Sequence, residues 1–517
     1  MKSSCWWIFS LCIVLASSAV AAPPPHLDAT VARVLATFQT PGVAVTIVEN
    51  DRVSVAKGWG VRSLEERAPV TADTLFRIAS CTKPFTATLI GQLVDDGKLS
   101  WDDRVAAVVP DFGLSEAYAS HEVRLRDLLA HRSGLGVGAG DLLFAPPTIY
   151  TRFQILRRLQ QVPLAHGFRE RFAYNNLGFV AAGSAVAAAL DSSWENAMRT
   201  RILEPLGMSA TVTTTSEFTQ AANRVAAHVR DESAGANGAL RVVPTPQLDP
   251  VAPIGGMASS ANDMARWVSA LLNGGEFKGA RIISTKNLEQ TWTLNTPIPI
   301  AAPSPPLAAT RPNFYGYGLG WFIRDVGGRK VVLHAGDVPG GRALTLLIPS
   351  ERIGFVILTN SGEGATTNAL AWTFLEHYLK LPHQDWIEAH RRAVELRNAR
   401  AKSETIPHES AAAVGTEEMQ ALVGTYDDSW YGTVTLRSER DALTISFDAT
   451  PSMRGALEPI RPGLWRTRWL DRTIADAYVH VLRRTDGSVQ QLQLEPLSPT
   501  ADFSFDYADL SLIRRPE

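Results

Sequence analysis

One run, Phe76-Arg77-Ile78-Ala79-Ser80-Cys81-Thr82-Lys83-Pro84-Phe85, constrains this chain more than any other stretch. It reads as a loop running straight into a buried helix. Phe85, Leu89 and Leu93 recur every four residues, with Ile90 and Val94 beside them, so one apolar face points inward. Asp95-Asp96-Gly97-Lys98 ends the helix, and Gly97 suits the left-handed position just past it. Ser80 sits at the other end, among backbone N–H groups that no helical carbonyl satisfies. Lys83 follows three residues later, and one helical turn brings its amine to the Ser80 side.

That placement has chemical content. A serine hydroxyl is a poor nucleophile at neutral pH and needs a base within hydrogen-bonding reach. A lysine amine serves if burial or a neighbouring cation lowers its pKa. A helix N-terminus adds partial positive charge where an acyl oxygen would become anionic. Taken alone, S-x-x-K is also accounted for by a helix cap and a solvated lysine, so the rest of the chain decides. Cys81, next to Ser80, offers a thiol, but free cysteines are usually buried and the sequence favours a small packed helix residue.

The chain has 517 residues, enough for two or three domains. A net charge of −2 gives no electrostatic case for nucleic acid as a partner. Residues 1–22 carry Lys2, an apolar run from Cys5 to about Ala16, and the small residues Ser18-Ala19-Val20-Ala21-Ala22. This reads as a secretory signal cut after Ala21 or Ala22, with a run too short for a membrane span. A soluble periplasmic or secreted protein is expected. Cys5 and Cys12 leave with the signal, so Cys81 remains alone and no internal disulfide forms. With no Cys/His cluster at zinc spacing, no metal and no cofactor are expected.

In order along the chain, His26 to Gln39 suggests a helix, and Val43–Val48 with Val53–Val61 a hairpin. Leu125 to Leu135 reads as a short amphipathic helix. His131 within it is a candidate general base or, as the sequence favours, a helix-end histidine bonded to backbone. A buried helix is expected over Gly178–Leu190, a glycine stop at Gly207, and a capped helix over Ala261–Leu272. Pro297 to Pro312 looks like an exposed loop. Strands follow at Gly318–Ile323, Lys330–His334, Leu344–Ile348 and Gly354–Thr359, as in an antiparallel meander, with His334-Ala335-Gly336-Asp337-Val338-Pro339-Gly340-Gly341 as a connection. A helix, Thr366 to Leu379, completes the unit. The pattern predicts an α+β domain over 22–384 and a linker helix within 385–415. Beyond it, 416–517 reads as an all-β domain with strands at Thr433–Leu436, Ala442–Phe447, Leu464–Arg468, Tyr478–Arg483 and Val489–Glu495.

Three stations now line up: Ser80-x-x-Lys83, Tyr174-x-Asn176 and His334-x-Gly336. With TLFRIASCTKPFTA, LLAHRSGL, ILEPLGM, GGMASSANDMARW and YGYGLGWF around them, the chain resembles the serine β-lactamase and penicillin-binding superfamily over about residues 27–380. Class C β-lactamases, DD-peptidases, D-aminopeptidases and related esterases belong to it. The C-terminal part, ending DFSFDYADLSLIRR, looks like the lipocalin-like β domain appended to some members. The resemblance implies a β-lactamase/transpeptidase-like α+β fold plus a β-barrel. It implies that Ser80 forms an acyl-enzyme and that Lys83 and Tyr174 carry the proton traffic. Asn176 would bind the substrate amide carbonyl and hold Lys83, and the backbone N–H groups of Ser80 and Asp337 would form the oxyanion hole.

One departure ranks the activities. Many β-lactamases carry Lys-Thr/Ser-Gly at the third station, where this chain has His334-Ala335-Gly336. Lysine there is a permanent cation for a substrate carboxylate, whereas histidine titrates near 6.5. Similar H-x-G patterns occur in D-aminopeptidases and several esterases. The expected function is therefore that of an exported serine hydrolase cleaving amide or ester bonds through a Ser80 acyl-enzyme, with small peptides containing D-amino acids as the first candidates. A promiscuous esterase with weak β-lactamase activity and a penicillin-binding sensor with slow deacylation are the alternatives. His334 is expected to read substrate charge through its own titration. The C-terminal domain is a candidate surface for self-association.

Overall fold

The computed structural model describes residues 23–230, 238–404, 415–439 and 442–516; the signal reading of residues 1–21 falls outside them. Eight strands build one antiparallel sheet: β1 (Gly42–Glu49), β2 (Arg52–Gly60), β3 (Thr296–Pro297), β4 (Tyr315–Tyr317), β5 (Phe322–Val326), β6 (Arg329–Val338), β7 (Gly341–Ile348) and β8 (Ile353–Thr359). Their order across the sheet is β2-β1-β8-β7-β6-β5-β4-β3. Six helices matter most to the position of the site: α1 (Leu27–Phe38), α2 (Thr82–Asp95), α3 (Leu177–Leu190), α4 (Ala261–Leu272), α5 (Gly364–Leu379) and α6 (Trp386–Glu404).

β1, GVAVTIVE, is buried at every position because its alternate side chains serve two cores. Val43, Val45 and Ile47 pack with Val34 of α1 and Leu370 and Phe374 of α5. Ala44 and Val48 join the opposite core, with Phe85 of α2 and Trp267 of α4. Thr46 Oγ1 donates to the Ala261 carbonyl at 2.5 Å, fixing the start of α4 on the sheet. α2 carries more than one apolar face: every residue from Thr82 to Leu93 is buried. The Phe85 ring stacks on Trp267 at 3.9 Å, and Gly91 leaves room for Ile283, which would lie 2.4 Å from a Cβ. Burying a side chain like Phe85 contributes roughly 2–3 kcal/mol. Gly97 takes the left-handed conformation expected of it, with φ +69°.

The structure revises several sequence expectations. No strand spans Gly318–Ile323; the chain turns at Gly318–Trp321 between β4 and β5, closed by the Gly318 N–H to the Trp321 carbonyl at 2.8 Å. The His334–Gly341 stretch is mostly strand, because β6 keeps pairing with β7 until Val338 faces Gly341. The helix at Leu125 stops at Leu129, and His131 turns the chain with φ +52°. The loop at Pro297–Pro312 contains a 3₁₀ segment, Pro305–Thr310. The linker helix, α6, packs on the catalytic unit: Trp386, Ile387 and Ala389 are buried, and Arg33 of α1 pairs with Asp385 at 2.6 Å.

The C-terminal strands close into an eight-stranded antiparallel barrel: β9 (Gly424–Asp428), β10 (Gly432–Glu439), β11 (Ala442–Phe447), β12 (Arg454–Arg461), β13 (Leu464–Trp469), β14 (Ala477–Arg483), β15 (Val489–Pro496) and β16 (Leu512–Arg514). Closure comes from β9 pairing with β16, Asp427 opposite Ile513. Alternate residues, among them Val434, Leu436, Ile445, Phe447, Leu457, Trp465, Trp469, Val479 and Leu492, are buried together in one apolar core. The connection between β15 and β16 leaves the barrel and reaches the catalytic unit. No single helix among the described residues is long and apolar enough to cross a membrane; one pair, Leu177–Leu190 with Trp194–Leu206, qualifies by length and composition only across a 79° bend.

Candidate active site

Ser80 lies in a 3₁₀ turn, Ala79–Cys81, that runs into α2. Ala79 before it has a left-handed φ of +46°. Such a conformation costs a non-glycine residue roughly 1–2 kcal/mol, so the turn carrying the hydroxyl is strained. β6 passes directly beside this turn. A Cβ at Gly336 would lie 2.1 Å from the Ile78 carbonyl oxygen and 2.9 Å from the Ser80 nitrogen, so only glycine permits the approach. Gly336 thereby brings the strand bearing Asp337 against the Ser80 backbone.

Lys83 is fully buried. Its Nζ is 2.9 Å from Ser80 Oγ, 2.8 Å from Asn176 Oδ1 and 3.3 Å from the Ile254 carbonyl oxygen. Two of these three neighbours are pure acceptors. A neutral amine has two N–H bonds, which satisfy them, and a lone pair left for the third, the Ser80 hydroxyl. Burial drives the amine toward that neutral form, lowering its pKa to about 7, while the Asp141 charge opposes the shift.

Tyr174 borders the same cluster, its ring centre 4.9 Å from Lys83 Nζ. Burial raises the phenol well above its ordinary value, and its hydrogen bond with Ser80 offsets part of the rise. The phenol therefore holds its proton at neutral pH and can relay one only by gaining another as it gives. The ring packs against His131 at 4.3 Å, Phe322 at 6.2 Å and Phe503 of the barrel connection at 5.6 Å. His131 has the bland role: its Nδ1 accepts the Asn175 N–H at 3.1 Å, and burial with the nearby Lys83 charge keeps it neutral.

Asn176 begins α3 and works in both directions. Its Oδ1 takes Lys83, and its Nδ2 donates to Asp141 Oδ2 at 2.7 Å. Cys81 is inert: its thiol donates to the His334 carbonyl at 3.1 Å, and burial pushes its pKa up to about 12.

His334 corrects an expectation. It is 1% exposed, with Nδ1 2.6 Å from the Ala335 carbonyl oxygen and Nε2 2.8 Å from Tyr317 Oη. A carbonyl only accepts, so Nδ1 carries the proton and Nε2 accepts from the tyrosine. Burial, then the neighbouring Lys83 charge, lowers its pKa to about 3. The imidazole is neutral throughout the physiological range and cannot read substrate charge by titrating near 6.5. The Asp337 side chain is also spoken for, paired with Arg342 directly across the β6–β7 hairpin.

Sequence reasoning thus placed Ser80, Lys83, Tyr174, Asn176, His334 and Gly336 in one neighbourhood. It missed Asp141, Tyr317 and Phe322, and the barrel residues Phe503 and Ser504. Tyr317 and Phe322 stand in the YGYGLGWF run, so their placement at either side of its turn was a usable signal. Asp141 carried none beyond a Gly-rich loop.

Comparison with known proteins gives the same outline. The family model described as Beta-lactamase matches residues 27–380, and a domain of unknown function, DUF3471, matches 408–514. The chain is 26% identical over 433 residues to the unguisins hydrolase ungD of Aspergillus violaceofuscus, covering 77% of this chain and 74% of that one. It is 24% identical over 324 residues to Protein flp of Staphylococcus aureus, covering 62% and 59%. Among solved structures, an octameric penicillin-binding protein homologue from Pyrococcus abyssi has a TM-score of 0.56 at 22% identity, over 94% of this chain and 99% of that one. SurE has a TM-score of 0.54 at 21% identity, over 94% and 98%, and a SurE structure with D-Leu scores 0.50 at 20% identity, over 94% and 98%.

Proposed function

We propose, from the premise that this chain belongs to the Beta-lactamase family, that it is a serine hydrolase working through an acyl-enzyme on Ser80. The observation that carries the reading is the buried Lys83 amine, 2.9 Å from Ser80 Oγ and held near pKa 7. Lys83 takes the hydroxyl proton as Oγ bonds to the substrate carbonyl carbon. The carbonyl oxygen becomes anionic against the Ser80 and Asp337 N–H groups. When the tetrahedral adduct collapses, Tyr174 gives its proton to the departing amine or alcohol and regains one from Lys83. Water then enters by the reverse relay and frees the acid.

Substrate class is the finer part of the proposal. Small peptides containing D-amino acids are the first candidates, on the His334-x-Gly336 pattern and the likeness to a protein solved with D-Leu. A neutral His334 supplies no cation for a substrate carboxylate, which sets β-lactams lower. Export through residues 1–21 is part of the same reading. Intact-mass measurement after exposure to an uncharged fluorophosphonate and, separately, to a penicillin tests it. One stoichiometric phosphonyl adduct on Ser80 and a transient penicilloyl adduct are expected. An unlabelled protein would overturn the acyl-enzyme, and a penicilloyl adduct lasting hours would favour the sensor reading.

A further inference from the structure

Asp141 stands where the catalytic cluster meets the barrel, and it is fully buried. One oxygen, Oδ2, accepts from Asn176 Nδ2 at 2.7 Å and from Ser504 Oγ, in the connection between β15 and β16, at 3.0 Å. The other, Oδ1, is buried and makes no hydrogen bond among the described residues. The same connection grips the neighbouring backbone, where the Gly140 N–H donates to Asp506 Oδ2 at 2.7 Å. Ring packing adds to this grip, Phe503 against Tyr174.

We infer that Asp141 is a positioning residue for acylation, holding Asn176 and through it Lys83, and that Ser504 and Asp506 fix Asp141 in turn, so that the C-terminal barrel is part of the catalytic apparatus. Asn176 Oδ1 points at Lys83 only while its amide keeps one rotamer, and the bond from Nδ2 to Asp141 selects that rotamer. Asp141 keeps its own rotamer because Ser504 bonds the same oxygen. No ion pair to a guanidinium or ammonium compensates the carboxyl within this cluster. Its titratable neighbours are Lys83, whose protonated form favours ionisation, and Asp502 and Asp506, whose ionised forms oppose it. Asp509, hydrogen-bonded to Asp506, adds to the acidic side. Burial outweighs Lys83 and raises Asp141 to about 8, so it is a neutral acid at pH 7. Once ionised, it would set a negative charge beside the oxygens of Ser80 and Tyr174, where negative charge gathers during acylation.

The inference rests on the Ser80–Lys83 reading proposed above, and the test separates the two. The full chain, Asp141→Asn, Asp141→Ala and Ser504→Ala are compared by the rate of fluorophosphonate labelling of Ser80 across pH, by kcat and KM on an uncharged ester, and by melting temperature. Asp141→Asn keeps an oxygen for Asn176 but cannot ionise. It should stay within about tenfold of wild type at pH 7 and lose the decline in rate above about pH 8. Asp141→Ala should lower kcat by about tenfold to a hundredfold with KM little changed, the scale of a misplaced reacting group. Ser504→Ala should fall in the same direction by less. If Asp141→Ala fails to fold, the other two variants decide. Wild-type labelling with unchanged pH profiles in Asp141→Asn and Ser504→Ala would overturn the inference while leaving Ser80 intact. A wild-type chain that is not labelled would overturn the Ser80 reading itself, and this inference with it.

Discussion

Asp127 and Lys83 are both sealed from solvent, and their surroundings could hardly differ more. Asp127 Oδ1 takes Arg132 Nε at 2.7 Å and Arg169 Nε at 3.0 Å, while Oδ2 takes Arg169 Nη2 at 2.6 Å and the Arg124 N–H at 3.0 Å. Two permanent cations and a backbone donor cover both oxygens, so the charge is stable where it sits. Lys83 meets a hydroxyl, two carbonyl-type oxygens and the rings of Tyr174 and Phe179, and the carboxyl that would offset its charge, Asp141, is itself held neutral by burial. Its charge is uncompensated, and the cheaper state is the free amine. A compensated buried charge is a structural joint; an uncompensated one is a base.

The largest break in that contrast comes from Ser80→Ala. Hydrolysis of an activated ester should fall by roughly 10⁶-fold, the loss seen when a whole catalytic unit collapses, with the melting temperature held. A residual rate above about a hundredth would remove Ser80 from the mechanism. Lys83→Met should cost about 10²–10⁴-fold in acylation, the worth of a positioned general base. It should also change stability in a definite direction. The folded pKa lies below the ordinary 10.5, so between about 7 and 10.5 the unfolded chain binds a proton that the folded chain has released. Wild-type stability therefore gains from rising pH through that window, and the gain should be missing from Lys83→Met. Urea unfolding of both proteins at pH 7 and 9.5 measures the difference, and equal differences would mean the amine is not buried as described.

Asp127→Asn should do the reverse. Breaking a buried ion pair costs roughly 3–5 kcal/mol, toward the lower end here because Arg132 and Arg169 can reach solvent. Turnover per folded molecule should stay within a few-fold, and a catalytic collapse with unchanged stability would erase the distinction between the two sites. The smallest effect belongs to His334. Wild-type kcat/KM for a carboxylate-bearing substrate and for an uncharged one of the same size should follow one pH profile between about pH 5 and 8. A histidine limb confined to the anionic substrate would show that the imidazole is solvated during turnover.

Much of this was legible in the sequence because its signals are local. Ser80 and Lys83 are one helical turn apart, Tyr174 and Asn176 are two residues apart just before α3, and Gly336 follows His334 by two residues. The environment of each group was not legible. His334 looks like a pocket histidine until Tyr317, seventeen residues earlier, is folded onto its Nε2. The Asp141–Ser504 bond spans 363 residues, beyond any spacing argument. Among the barrel strands, β9 and β16 are short and β12 carries Pro459 at a register shift, so these three escaped the sequence pattern, whereas the alternation of β11 was plain. The strand pattern through Gly318–Trp321 misled for a simpler reason: apolar glycine-rich text can turn as readily as extend.

Lys83 stands beside Ser80 with its amine poised to lose its proton near pH 7, and the rate of Ser80 labelling by an uncharged fluorophosphonate reads that titration. Neither reagent nor product carries a charge that titrates, so the acid limb belongs to the enzyme. A rate that rises with pH along a limb centred near 7, ahead of the decline above about pH 8, is the predicted result. A limb near 10, the value of an ordinary solvated lysine, or no limb at all, would contradict the account.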